Sequence, residues 1–367
     1  MEECVFAYGK AETEQAERIL TERFRHAGTE HPLLAWLYDE ARLRLLPVCG
    51  CDACAPEAVN PLRSREVLPK LVSPPAIPAG EESFEVIAAS VKLPAMPQVF
   101  HELQSLIERD DVTVDELGRV ISLDPKMTSS ILRLVNSALF SFRSSIDTVS
   151  RAVAVLGTRQ ISTLALGTLM LGLFRERPPE CINLDVFWKH SIATGMTARS
   201  IARIAGSENP EKYFVAGLLH DMGWLALCCT HPGMAQQVLD VVETRRCTFP
   251  EAERYVMGFD HARLGGRIFE KWNFPPNLVA AVLHHHAPSR CTEHDEPAIV
   301  HVADTVVKSL GLGAVADARV LPLDHAVWDK LGMEPQALGG VLASLEGELD
   351  QVCRALLMPD AGMPART

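Results

Sequence analysis

The chain has 367 residues, of which 47% are hydrophobic and 22% charged, with a formal net charge of −12 and a pI near 5.6. Such a length accommodates two modest domains, or one domain with substantial extensions, and the composition predicts a sizeable packed core. The acidic balance argues against nucleic acid or an anionic membrane as a partner, and no dense Lys/Arg cluster offsets it.

The first residues, MEECVFAYGK, lack the basic start and apolar run of a signal peptide. Residues 1–54 carry two stretches of helical composition, Glu12 to His26 and Pro32 to Leu46. Ala11, Ala16, Ile19, Leu20 and Phe24 fall on one side of the first, a face suited to packing on the body or to a partner. Cys49, Cys51 and Cys54 form a C-x-C-x-x-C cluster. As thiolates they could hold zinc, with Cys4 or His31 as the fourth ligand, or act as a redox switch; reduced cysteines in a surface loop are the simpler reading. The other cysteines sit among apolar neighbours, as reduced buried thiols do. Residues 55–82 read as a linker, with prolines at 56, 61, 69, 74, 75 and 78.

From residue 83 to 310 the pattern is helix after helix. Thr113 to Glu116 has capping-box spacing ahead of Leu117, Val120 and Ile121 at helical intervals. Asp124 followed by Pro125 is an N-cap carboxylate with proline at the first helical position. Met127, Ile131, Leu134 and Val135 then mark a buried face. Arg133 and Asn136 are helical neighbours, and a structural role suits this run better than a ligand patch. The most apolar run, Ile161 to Phe174, is about two-thirds of the ~20 residues of a bilayer span and predicts a buried core helix. Strand alternation is scarce. The predicted fold is an all-α bundle, with a helical tail over 311–367.

Titratable side chains concentrate in the later part of the body: His190, the adjacent His220 and Asp221, His261, the run His284–His285–His286, and Asp304. Imidazole and carboxylate suit first-row divalent metals, and hydrolytic sites use such ligands with one position open to water. Hydrogen-bonded core histidines are the competing account. His284 fits an ordinary packing or surface role, as do His101, His231, His294, His301 and His325, which no motif supports. No Walker-type loop, dinucleotide glycine pattern or serine elbow is present. Gly265–Gly266 suits close helix packing.

An ordered series of motifs runs through the same region. It comprises LPAMPQV (93–99), DPKMTSSILRLVNSA (124–138), IDTVSRAVAVLG (146–157), FWKHS (187–191), VAGLLHDMGWLAL (215–227) and GFDHARLGGRIFEKWNFP (258–275). In this order it resembles the HDOD family, the HD-related output domain, over roughly 88–305. The resemblance implies a first helical lobe near 88–175 and an HD-phosphohydrolase-like lobe near 180–305. It also implies a bacterial signal-transduction role; with no signal peptide and no run long enough to span a bilayer, the expectation is a cytoplasmic protein that acts through an unidentified signalling protein or a small phosphorylated ligand.

By similarity to metal-dependent HD hydrolases, His190, His220, Asp221 and Asp304 match a primary site for iron, manganese or zinc, and His261, His285 and His286 match additional ligands. Two departures speak against cyclic-dinucleotide hydrolysis. Trp224 stands where such relatives commonly have lysine, and no Gly-Tyr-Pro signature follows the paired histidines. The expectation is a regulatory, non-catalytic scaffold, with a metal-dependent phosphohydrolase acting on a nucleotide or other phosphoester as the alternative.

Overall fold

The computed structural model describes residues 10–45, 81–91, 96–107, 109, 111–175, 179, 181–312 and 319–357. Cys4, Cys49, Cys51, Cys54 and nearly all of the proline-rich stretch lie outside these residues. Among the described residues the chain is helical and contains no strand, as predicted.

Helices α1 (Lys10–Arg23) and α2 (Pro32–Leu45) form an N-terminal hairpin, and α3 (Glu81–Ser90) precedes the first lobe. The first helix starts two residues before the predicted stretch and ends three residues before its end. It stops at Arg23, the chain turns at Gly28 with φ +70°, and His26 lies in that turn with Nε2 2.9 Å from the Arg246 carbonyl.

The first lobe comprises α4 (Gln98–Ile107), α5 (Val114–Ser122), α6 (Pro125–Val135), α7 (Val149–Leu156) and α8 (Thr158–Arg175). Thr113 caps α5 by accepting from the Glu116 amide at 3.2 Å. Asp124 caps α6 by accepting from Lys126 and Met127, which satisfies donors that a helix start otherwise leaves open. Asn136 holds the turn after α6, donating to the Ile146 carbonyl and accepting from its amide, both at 2.7 Å. Arg133 donates to the Ala355 carbonyl at 2.9 Å. Both side chains therefore have structural work. The apolar run predicted as a core helix is α8, most of it buried.

The second lobe comprises α9 (Leu184–Ile204), α10 (Glu211–Leu219), α11 (Met222–Thr230), α12 (Pro232–Arg245), α13 (Phe249–Met257), α14 (His261–Lys271), α15 (Pro276–His284) and α16 (Glu296–Ser309). Two glycine contacts set its geometry. At Gly217 a Cβ would lie 2.8 Å from the Gly195 Cα, so α9 and α10 meet backbone to backbone. At Gly223 a Cβ would collide with the His261 carbonyl and sit 2.6 Å from the Gly265 amide, so α11 lies directly on α14. The predicted packing role of Gly265–Gly266 is met here: Cβ atoms there would lie 2.6 Å from Val282 and 2.9 Å from Leu283 of α15.

The 20 residues Glu211–Thr230 are long and apolar enough to cross a membrane, but 89% of the relevant window is buried inside the protein. They form the middle of a core.

The last helices, α17 (His325–Leu331) and α18 (Gly339–Leu357), close the molecule. Leu345, Leu349, Val352 and Leu356 of α18 join the large apolar cluster shared by both lobes. A second cluster unites Leu20, Leu33, Leu34 and Leu37 of the N-terminal hairpin with Ile299, Val302 and Val306 of α16 and with Val327 and Trp328 of α17. The one-sided face of α1 thus packs within the chain. His31 is engaged as well: its Nδ1 accepts from the Leu33 amide at 3.2 Å, and its ring lies 4.6 Å from that of His325.

Buried polar side chains tie the lobes together: Gln104 of α4 donates to the Trp272 and Asn273 carbonyls at 2.7 and 2.8 Å. Arg199 of α9 donates to the Leu139 carbonyl of the first lobe at 2.9 Å, pairs with Glu211 at 3.2 Å and lies 4.8 Å above the Phe140 ring.

Candidate metal centre

Five helices of the second lobe deliver side chains to one buried point. The close contact of α9 with α10 brings His190 to His220, which ends α10. The α10–α11 junction supplies Asp221, the contact of α11 with α14 supplies His261, and the end of α15 supplies His285 and His286. Asp304 comes from the middle of α16. All seven residues singled out in the sequence converge.

Asp221 is the hub. Its Oδ2 lies 3.1 Å from His220 Nε2 and 3.6 Å from His190 Nε2. Its Oδ1 lies 3.0 Å from His261 Nε2 and 3.7 Å from His285 Nε2. Asp304 Oδ1 faces His190 Nε2 at 3.2 Å and His220 Nε2 at 3.9 Å. His286 Nε2 faces His261 Nε2 at 3.1 Å. Ligand atoms of His190, His220 and Asp221 lie within 4.8 Å of one another, and so do those of His261, His285 and His286.

Several of these rings are oriented from behind. His220 and His285 use Nδ1 on the carbonyls of Gly217 and Val282, at 2.7 and 2.8 Å, which turns each Nε2 inward. His261 is held by Glu253 of α13, whose Oε2 lies 2.7 Å from Nδ1 and accepts the His261 amide at 3.1 Å. His301 bridges the His285 carbonyl, 2.8 Å from Nδ1, and the Asp324 amide, 3.0 Å from Nε2. Its predicted ordinary role is a structural one beneath the centre. His284 is half-buried and belongs to neither group of ligand atoms.

These residues fit a metal. The Nε2 atoms of His190, His220 and His285 and the Asp304 Oδ1 are buried and make no aligned hydrogen bond. Buried polar atoms are ordinarily satisfied, and these four, spread over two adjoining groups of candidate ligand atoms, offer nitrogen and oxygen donors suited to a borderline first-row ion.

The electrostatics agree. Burial alone would raise the Asp221 carboxyl, yet His220 and His261 hold it well below the usual range. Burial would likewise raise Asp304, but Lys308, with Nζ 2.7 Å from Oδ2, and His190 keep it lowered. Burial opposes a charge on His261, and Glu253 and Asp221 overcome it, pushing the imidazole up to about 10. Burial opposes a charge on His220 too, and Asp221 reverses the direction upward. His285 and His286 are pushed well below the usual imidazole value, by burial first and by neighbouring histidines second.

Trp224 is buried just outside the ligands. Its ring packs edge-on against Phe249 with centroids 4.6 Å apart, and Phe249 lies 5.8 Å from the His261 ring. The position that motif comparison reserves for a cation therefore forms an aromatic wall.

Sequence reasoning missed Glu253 and Lys308. Lys308 lies one helical turn beyond Asp304, so helical spacing carried a signal for it. Glu253 reaches His261 across the turn at Gly258, which has φ +83°, and no periodicity predicts that return.

The body is helical and two-lobed, with groups of histidine and aspartate that could hold a metal in its second lobe. The model of the HDOD domain matches residues 93–288, and the chain belongs to the HDOD family. It is similar to an HDOD domain protein of unknown function from Geobacter sulfurreducens, with 23% identity and a TM-score of 0.66 over 75% of this chain and 97% of that one. It is also similar to a Shewanella amazonensis protein provisionally named a phosphohydrolase, with 22% identity and a TM-score of 0.61 over 75% and 98% of the two chains. A Marinobacter aquaeolei protein provisionally named for signal transduction shares 18% identity and a TM-score of 0.60 over 74% and 61%. At these identities the likeness is one of fold. An uncharacterized protein of Treponema pallidum is 25% identical over 212 residues, 58% of this chain and 41% of that protein. The chain therefore spans less than half the length of this curated relative.

Proposed function

We propose that this chain is a signal-transduction protein whose HD-like lobe binds a divalent metal, and that it regulates through contacts with a signalling partner rather than by turnover. The observation that carries the metal reading is the convergence of unsatisfied His190, His220 and His285 atoms around Asp221, with the unsatisfied Asp304 Oδ1 facing His190. Membership of an output-domain family supports the regulatory reading. Trp224 supports a non-catalytic one, because an indole supplies no charge to a phosphate. Iron, manganese and zinc all suit the donor set.

The test is elemental analysis of the purified chain beside a His220→Ala, Asp221→Ala double variant. Stoichiometric metal in the first and none in the second, with both folded, supports the reading. No metal above background in the wild type retires it.

A second reading is a metal-dependent phosphohydrolase. It is favoured by Asp221, whose side chain is 11% exposed against 0–3% for the surrounding His190, His220, His261 and His285, so solvent reaches the hub. When bound, a metal there would activate water for attack on a phosphoester. The chain's own part would be to hold the ion through Asp221 and the imidazoles and to fix His261 through Glu253. Turnover of phosphomonoesters or cyclic dinucleotides by metal-loaded protein, abolished in the double variant, would favour this reading. Absence of turnover across that panel leaves the regulatory one.

A further inference from the structure

We infer that Arg23, the last residue of α1, couples the N-terminal hairpin to the metal centre by holding the turn after α16 whose Leu312 carbonyl backs His190. Arg23 is a positioning residue, and through it the docking of the hairpin sets the affinity for metal. The inference rests on the metal-binding reading and goes beyond it, because Arg23 lies outside both groups of candidate ligands.

The end of α16 is a place for a cation. Gly311, with φ +69°, turns the chain so that the amides of Gly311 and Leu312 reach back to the carbonyls of Lys308 and Val307 at 3.0 and 3.2 Å. A turn of this kind satisfies two of the carbonyls that a helix end leaves open. The next carbonyl, that of Ser309, accepts from Arg23 Nη1 at 2.8 Å. Arg23 is only 5% exposed, and its Nε is buried without a hydrogen bond. Among the described residues no carboxylate pairs with it. A buried cation needs a compensating partner, and the negative end of α16 supplies it. The guanidinium lies flat against the turn: a Cβ on Gly311 would sit 2.5 Å from its Nη2. The Arg23 carbonyl, in turn, accepts from the Val320 amide at 2.7 Å.

The same turn meets the centre on its other side. Leu312 presents its carbonyl 3.5 Å from His190 Nδ1, while His190 Nε2 faces Asp304 Oδ1 at 3.2 Å and Asp221 Oδ2 at 3.6 Å. His220 and His285 are backed by carbonyls of the helices they end, and His261 by Glu253. His190 takes its backing from a turn that Arg23 keeps in place. Such partners set the orientation of a ligating imidazole. At 3.5 Å the contact stands at the limit of a hydrogen bond, where a small shift of the turn decides it. The hairpin also packs Leu20, Leu33, Leu34 and Leu37 against Ile299, Val302 and Val306 of α16, the helix that carries Asp304. Undocking the hairpin therefore frees both the end of α16 and the group behind His190. Hairpin and α16 alike lie outside the family match.

The test uses the full chain. Coupling is reciprocal, so amide exchange over residues 10–45 is expected to slow when zinc is added to chelator-stripped wild type. In the His220→Ala, Asp221→Ala variant zinc is expected to leave it unmoved. Arg23→Met is expected to bind zinc about tenfold more weakly, read by competition with a chromophoric chelator. Its cobalt form is expected to show a shifted visible absorption as His190 turns. Arg23→Lys, which keeps a charged donor for the Ser309 carbonyl, is expected to recover part of the affinity. Arg42→Ala, which breaks an exposed pair with Glu17 on the same hairpin, is expected to bind as the wild type does. Hairpin exchange indifferent to bound zinc, wild-type affinity in folded Arg23→Met, or an equal loss in Arg42→Ala would overturn the inference and leave the metal centre intact. The exchange measurement needs no change at Arg23 and decides the matter if the methionine variant fails to fold. No zinc bound by the wild type would overturn both this inference and the metal-binding reading.

Discussion

Glu253 holds His261 at two points, accepting its backbone amide at 3.1 Å and lying 2.7 Å from its Nδ1, both on the same carboxylate oxygen. The ring is fixed in rotation and its Nε2 is aimed at Asp221, 3.0 Å away. Carboxylates in this relation to a ligating histidine set both its orientation and its basicity.

Replacing that carboxylate should loosen metal without removing a ligand. Glu253→Gln is expected to lower metal affinity by about 10- to 100-fold, read by competition with a chromophoric chelator. Wild-type affinity in the folded variant would show that His261 does not contribute to the bound ion.

The protein stripped of metal should be sensitive to alkaline pH. His261 has its folded pKa raised to about 10, against roughly 6.5 in the unfolded chain. The stability it contributes is fully present below about pH 6.5 and is lost as pH rises towards about 10. Urea midpoints measured with chelator present should therefore fall across this window. In His261→Gln the fall should be smaller, and an equal fall in both proteins would assign the effect elsewhere. Metal affinity should move oppositely, rising with pH as protons leave the imidazoles.

The Arg199 link between the lobes should be costly to cut. Arg199→Met removes the partner of the buried Glu211 and the donor to Leu139. Breaking one side of a buried pair costs about 3–5 kcal/mol. Arg199→Met with Glu211→Gln should recover part of that loss in chemical denaturation. A double variant no more stable than the single one would place the cost in the Leu139 contact and the Phe140 stacking.

A single methyl group should disturb the centre from behind. At Gly223 a Cβ collides with the His261 carbonyl, so Gly223→Ala must push α11 from α14. Overpacking of this kind costs about 1–3 kcal/mol. Metal retention and the thermal midpoint should fall together. Retained metal at a wild-type midpoint would show that the helices part without moving His261.

The fold was legible because its local signals agree: caps at Thr113 and Asp124, proline at the first turn, and apolar faces at helical spacing. The seven candidate ligands were legible through a motif order that spreads them over several helices, with His220–Asp221 and His285–His286 as adjacent pairs at helix ends. The supporting residues were not. Glu253 reaches His261 only because the chain doubles back between α13 and α14. His301 looked ordinary because its partners are main-chain groups of His285 and Asp324, which no side-chain pattern encodes. The end of α1 was placed three residues late because composition does not register the turn leading to Gly28.

Helix α16 serves two masters. One side carries Asp304 and Lys308 to the centre, while Ile299, Val302 and Val306 on another pack against the N-terminal hairpin and α17. The family match stops at residue 288, short of this helix. A graft transplanting only the matched segment into another protein would leave behind Asp304, the Lys308 ammonium paired with it and the surfaces that keep both in place. The portable unit of this protein is therefore larger than its recognisable one, and its two ends travel with it.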